Sequence, residues 1–149
     1  MAIRSTPHTI GRIAPVLVDT GAGTLFGPTL GKFKAFDGDS ELVPGVRAVA
    51  SHGHTAGHTL YVIESQGQKL AVWGDLMHVA AVQFAHPEVT IQYDTDPDMA
   101  AAQRKKVFAD ASQRGYWVAG AHLSFPGIGH LRSAGSGYAF VPANYSALP

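Results

Sequence analysis

A chain of 149 residues without a cysteine is long enough to bury one core, but it excludes a disulfide framework, a thiolate zinc site and a cysteine nucleophile. Any metal must therefore be held by imidazole and carboxylate. Its 11 basic and 11 acidic side chains cancel, and charged residues are only 15% of the chain, which argues against disorder and leaves no basic footprint for nucleic acid or an anionic membrane. Eight histidines are the compositional excess.

Residues 1–15 hold no apolar stretch of signal-peptide length, and no run approaches the roughly 18 apolar residues of a membrane span. No signal peptide and no membrane partner are expected, and the compartment stays open. Residues 15–20 (PVLVDT) read as a short strand stopped by Gly21-Ala22-Gly23, with Asp19 at its end. Residues 46–51 (VRAVAS) and 59–64 (TLYVIE) alternate, and residues 69–73 (KLAVW) follow a Ser-Gln-Gly-Gln turn, so the last two predict an antiparallel hairpin. Between the first two, residues 51–58 (SHGHTAGH) are too polar and glycine-rich for a core strand. Three histidines thus sit in a loop at a strand end.

One helix is clearly marked. Asp96 is an N-cap, Pro97 suits the first turn, Asp98 complements the helix dipole, and Arg114-Gly115 closes the segment. Ala100, Val107, Phe108 and Ala111 share one side, and Arg104, Lys105 and Asp110 are expected to face water. Residues 116–119 (YWVA) resume as a strand, residues 124–129 read as a loop, and residues 138–141 (YAFV) form a last strand.

Chemistry collects at the strand ends. His54 follows one strand, Asp75 another and His122 a third. Strands of one sheet that end at the same rim bring such side chains together, and a His, Asp, His set suits zinc, iron, cobalt or manganese. A single histidine is more often a hydrogen-bonded structural residue; the joint pattern points to a metal. His78 follows Asp75 by three residues and is a candidate replacement ligand, the alternative being a partly exposed histidine without a role. His8, His86 and His130 lie beside proline or glycine and are expected on surface loops. Asp94, Asp96 and Asp98 alternate, but helix capping explains two of them and the full calcium pattern is missing.

Residues 17–23 (LVDTGAG), 51–59 (SHGHTAGHT), 74–76 (GDL) and 121–127 (AHLSFPG) resemble, in order and context, the metallo-β-lactamase superfamily, and most closely its methyl parathion hydrolase branch. That resemblance implies an αββα sandwich of α/β (α+β) class. It also implies dinuclear metal hydrolysis of organophosphate triesters or, in related members, of esters or lactones. Carried over residue by residue, it makes His54 a ligand of one metal, His122 a ligand of the other, and Asp75 the catalytic carboxylate that bridges them. Asp19 would lie behind the ligands, His58 would be a structural partner of the His54 loop, and His52 takes no metal role. The implied cofactor is a divalent transition metal, zinc first.

The superfamily's His-x-His-x-Asp-His signature occurs nowhere in the chain; His52-Gly53-His54 is the only His-x-His. In the family the signature lies between segments that resemble residues 27–31 and 33–38, which here join through Lys32. From residue 31 to residue 36 the chain spans at most about 18 Å. The expectation is therefore one shortened domain over residues 1–149, with an internal deletion near 31–33 and an uncovered sheet edge and apolar face that favour homo-oligomers. Two functions are carried forward. One is a metal-dependent hydrolase of small phosphotriesters or esters whose activity is weak or lost. The other is a noncatalytic, self-associating remnant or scaffold of the same fold, and complementation by a separate chain carrying the missing motif is a third possibility.

Overall fold

The computed structural model describes residues 2–3, 16–17, 36 and 38–144. The chain divides into two compact units, Met1–Phe36 and Asp37–Pro149. In the first, β1 (Ala2–Ile3) pairs antiparallel with β2 (Val16–Leu17). The expected strand over residues 15–20 is described only at Val16–Leu17. Asp19, His8 and the junction near 31–33 lie outside the described residues.

The second unit is built on one seven-stranded sheet. Its strands are β3 (Ser40–Val43), β4 (Val46–Ala50), β5 (Thr59–Ser65), β6 (Gln68–Val72), β7 (Trp117–Ala119), β8 (Ile128–Ala134) and β9 (Gly137–Pro142), each hydrogen-bonded to the next in chain order. The predicted β5–β6 hairpin is present, with Ser65 opposite Gln68. Every pairing is antiparallel except β6–β7, which is parallel and sets Val72 opposite Ala119. A parallel pair needs a long crossover. Here it consists of a 3-10 turn at Gly74–Leu76, the short α1 (Ala80–Gln83) and the 18-residue α2 (Pro97–Arg114).

In this unit two strands escaped the sequence reading. β3 is an edge strand whose residues are mostly exposed, so it carries no apolar alternation to detect. β8 (IGHLRSA) is interrupted by Gly129, whose Cβ position is occupied by the Val141 carbonyl at 2.2 Å. His130 therefore stands in a strand, not a surface loop, with its ring centroid 3.8 Å from that of Trp117 and its Nδ1 donating to the Tyr116 carbonyl at 3.2 Å.

Helix α2 begins and ends where its caps place it. The Asp96 carboxylate accepts from Met99 N at 3.0 Å, Pro97 occupies the first turn, and Gly115 closes the helix at φ 64°. Its buried stripe is Ala100, Arg104, Val107, Phe108 and Ala111, of which Val107, Phe108 and Ala111 join one core cluster with Leu60, Val62, Ala71, Val118 and Leu131 of the sheet and with Trp73 and Phe84. Arg104 corrects the sequence expectation. It is fully buried, because positions 100, 104, 108 and 111 recur at the helical repeat and share one face whatever their charge. Lys105 stays exposed. Among the described residues no helix is long and apolar enough to cross a membrane.

Candidate metal centre

Sheet topology brings three segments to one rim. β4 ends and β5 begins there, Ala50 opposite Thr59, so the histidine loop 51–58 spans the gap between them. The parallel pair β6 and β7 ends at the same rim, and Asp75 and His122 each follow three residues after the partnered Val72 and Ala119. The loop closes on itself: Ser51 N donates to the His58 carbonyl at 2.9 Å, and His58 Nδ1 donates back to the Ser51 carbonyl at 2.7 Å. It is also clamped by the segment before α2, where Thr95 N donates to the His54 carbonyl at 3.0 Å and Asp96 N to the Gly53 carbonyl at 2.9 Å.

Gly53 allows that approach. It sits at φ 132°, and an added Cβ would lie 2.3 Å from Ala100 N in the first turns of α2. Gly53→Ala is expected to cost about 2–6 kcal/mol, the sum of backbone strain and overpacking against main chain that cannot yield. An unchanged midpoint in urea denaturation would contradict this.

Three histidine side chains meet around Asp75. His122 Nε2 is 2.8 Å from Asp75 Oδ1, His54 Nε2 is 3.5 Å from Oδ2, and His78 Nε2 is 3.8 Å from Oδ1. The His78 ring lies between the other two, stacked on His122 at a centroid distance of 4.3 Å and tilted against His54 at 4.8 Å. His54 and His78 are largely buried, at 14% and 15% exposure, whereas Asp75 and His122 are open at 43% and 42%. The cluster thus has a buried wall and a face that solvent reaches.

Local anchors hold each group. Gln83, itself fully buried, accepts from His78 N at 2.8 Å and Val79 N at 2.9 Å and donates to the Val89 carbonyl at 2.8 Å. Partial burial raises the Asp75 pKa, but the His122 hydrogen bond and the surrounding imidazoles outweigh it and leave the carboxyl below its usual range. Burial and the adjacent His122 push His78 down, against the pull of Asp75. Both shifts favour the protonation states that bind metal, an ionised carboxylate and neutral imidazole. His78 Nδ1 is buried and has no hydrogen-bond partner among the described residues.

The donor set suits a divalent metal ion. One ligand atom each from His54, Asp75 and His78 lies within 4.8 Å of the others. Nitrogen and oxygen ligands about 2.0–2.2 Å from a tetrahedral ion stand about 3.3–3.6 Å apart. The 3.5 Å separation of His54 from Asp75 Oδ2 falls in that range and the 3.8 Å separation of His78 from Oδ1 lies just above it, while the 2.8 Å His122 contact is a hydrogen bond.

Of the residues named from sequence, His54, Asp75, His78 and His122 are brought together, and His58, the last residue of the loop, lines a shallow cavity with Ser51, His54 and Asp75. His52 is exposed. Sequence reasoning passed over Asp94. It is buried, 3.0 Å from His54 Nδ1 and 3.7 Å from Arg104 Nη2. Its position just before an N-cap, in an Asp-x-Asp-x-Asp run, had offered only the calcium reading.

Solved structures provide a comparison for this arrangement. The hydrolase AbOPH of the β-lactamase superfamily is 38% identical over 70% of this chain and 36% of its own, with a TM-score of 0.67. AidC, a dizinc quorum-quenching lactonase in complex with the product N-hexanoyl-L-homoserine, is 30% identical over 76% of this chain and 39% of its own, with a TM-score of 0.72. A probable metal-dependent hydrolase from Staphylococcus aureus is 32% identical over 56% and 30%, with a TM-score of 0.51. The chain therefore spans less than two fifths of the length of any of these proteins. No protein-family profile matches it, and neither does any curated protein sequence.

These neighbours are metallo-β-lactamase superfamily hydrolases. The mixed seven-stranded sheet with its crossover helices is a shortened α/β fold of the metallo-β-lactamase type.

Proposed function

We propose that this chain binds one divalent metal ion, zinc first, on His54, Asp75 and His78, and that it hydrolyses a small ester-like substrate at that centre. The observation that carries the reading is the grouping of one donor atom each from His54, Asp75 and His78 within 4.8 Å of one another. His122 holds Asp75 from the open side and is available as a fourth donor. When bound, such an ion supplies Lewis acidity for a carbonyl or phosphoryl oxygen and makes water nucleophilic near neutral pH. The protein's own part is to fix two largely buried imidazoles and leave the Asp75–His122 side open, which is the side from which substrate enters. The resemblance to the methyl parathion hydrolase branch favours an organophosphate triester, and the lactonase named among the neighbours makes a carboxylic ester or lactone the alternative. Without the His-x-His-x-Asp-His signature, the turnover expected is weak.

Metal analysis and turnover on the purified chain test this. Close to one equivalent of zinc or cobalt, lost in His78→Ala and retained in His52→Ala, is expected, together with a slow chromogenic ester or phosphotriester hydrolysis that a chelator abolishes. Less than a tenth of an equivalent, with turnover indifferent to chelator, would end the enzyme reading.

A second reading has its own support. The sheet face away from α2 carries Ile63, Leu70, Val72, Trp117 and Ile128, all only partly buried, and such a face favours self-association. Light scattering separates the two: a scaffold gives a defined oligomer without metal, and a compact monomer contradicts it.

A further inference from the structure

Asp94 belongs to no part of the site as the sequence presents it, yet it is the one buried carboxylate among the described residues. Its side chain is 0% exposed. One oxygen, Oδ1, lies 3.0 Å from His54 Nδ1. The other, Oδ2, accepts from Ile91 N at 3.1 Å and faces Arg104 Nη2 at 3.7 Å. Arg104 is itself immobilised: Nε donates to the Leu76 carbonyl at 2.8 Å, and Nη1 donates to the carbonyls of Pro87 and Val89 at 2.9 and 2.7 Å. Leu76 is the residue after Asp75. One buried guanidinium thus ties down both the turn that presents Asp75 and the carboxylate that faces His54.

An ionised carboxylate only accepts hydrogen bonds, and the Oδ2 side already accepts from Ile91 N and faces the Arg104 cation in an ion pair. His54 Nδ1 must then carry its proton toward Oδ1, which leaves the lone pair on Nε2, the nitrogen that points at Asp75. We infer that Asp94, locked by Arg104, is a positioning residue that fixes the tautomer and ring orientation of His54 and so makes Nε2 a ready metal donor. Carboxylates that accept from the far nitrogen of a ligating histidine commonly do this, and their loss costs roughly 10–100-fold in metal affinity.

The inference rests on the metal reading for its consequence but not for its geometry, and the experiment keeps the two apart. In the metal-free, isotope-labelled chain above neutral pH, nitrogen NMR of His54 should show Nδ1–H and a bare Nε2. Asp94→Asn is the informative variant. The side-chain oxygen must face Ile91 N–H and Arg104, so the amide nitrogen turns toward His54, donates to Nδ1 and moves the ring proton to Nε2. That variant should show the inverted tautomer without metal, and a roughly 10–100-fold weaker affinity for zinc or cobalt by calorimetry. A purely structural role would alter stability and leave the tautomer alone.

An Nε2–H tautomer in the unmodified chain overturns the inference even if the variant fails to fold. An unchanged tautomer and unchanged zinc affinity in a folded Asp94→Asn also overturn it. If the unmodified chain takes up no metal but shows Nδ1–H, and Asp94→Asn inverts it, the metal reading fails and the positioning role stands.

Discussion

Arg104→Ala is expected to cost about 3–5 kcal/mol of stability, a large share of the roughly 5–15 kcal/mol that holds an ordinary domain together. The side chain is completely enclosed. Its removal strips the Leu76 and Pro87 carbonyls of the donors they now have and leaves the Val89 carbonyl only the one from Gln83. It also leaves the buried Asp94 carboxylate without a cation. A buried charge deprived of its partner is more costly than the pair itself is stabilising. Arg104→Met separates the contributions, since it fills most of the space and supplies none of the donors; it should recover only the packing part of the loss. Urea denaturation followed by tryptophan fluorescence is suited to the measurement, because Trp73 is buried in the core cluster that α2 covers. A cost under about 1 kcal/mol for Arg104→Ala would mean that water enters and serves the three carbonyls instead.

Asp75→Asn should have the opposite profile, a small effect on the metal-free fold and a large one on metal. The carboxylate is half-exposed, and exposed ion pairs contribute only about 0–1 kcal/mol. Its loss should therefore shift the urea midpoint little. For metal binding it is the one carboxylate set among His54, His78 and His122. An amide in its place removes the charge that draws a cation among three imidazoles. The affinity for zinc should fall by more than the roughly 100-fold at the upper end for partners that only orient ligands. Calorimetry on the two proteins at one pH checks it. Equal affinities would show that ion and carboxylate do not meet.

How much of this was legible in the sequence depends on whether the signal was periodic or positional. The caps of α2, the β5–β6 hairpin and the loop 51–58 were readable, because N-cap chemistry, alternation and glycine content are local. The strand-end positions of His54, Asp75 and His122 were readable for the same reason, since each follows a recognisable apolar run. β3 was not, as an exposed edge strand needs no apolar face. β8 was broken by a glycine that close packing against Val141 demands. Arg104 misled because charge was weighed above helical spacing. Asp94 escaped because its partners, His54 and Arg104, stand 40 residues before and 10 after it, and no local pattern announces such a contact.

The clamp between residues 53–54 and 95–96 has a kinetic consequence. Its hydrogen bonds join positions about 40 apart along the chain, with a hairpin and the part of the crossover that precedes α2 between them. Contacts of such long separation form only once the intervening loop has closed, whose entropic cost is met before any reward is collected. The histidine loop can be written early by its own short-range bonds, Ser51 to His58 and back. The aim of the His54 ring is settled only when the segment before α2 has docked against it. The geometry at the rim is thus a report on the completed crossover, and the ring orientation of His54 during refolding should appear with the slowest tertiary signal of this unit.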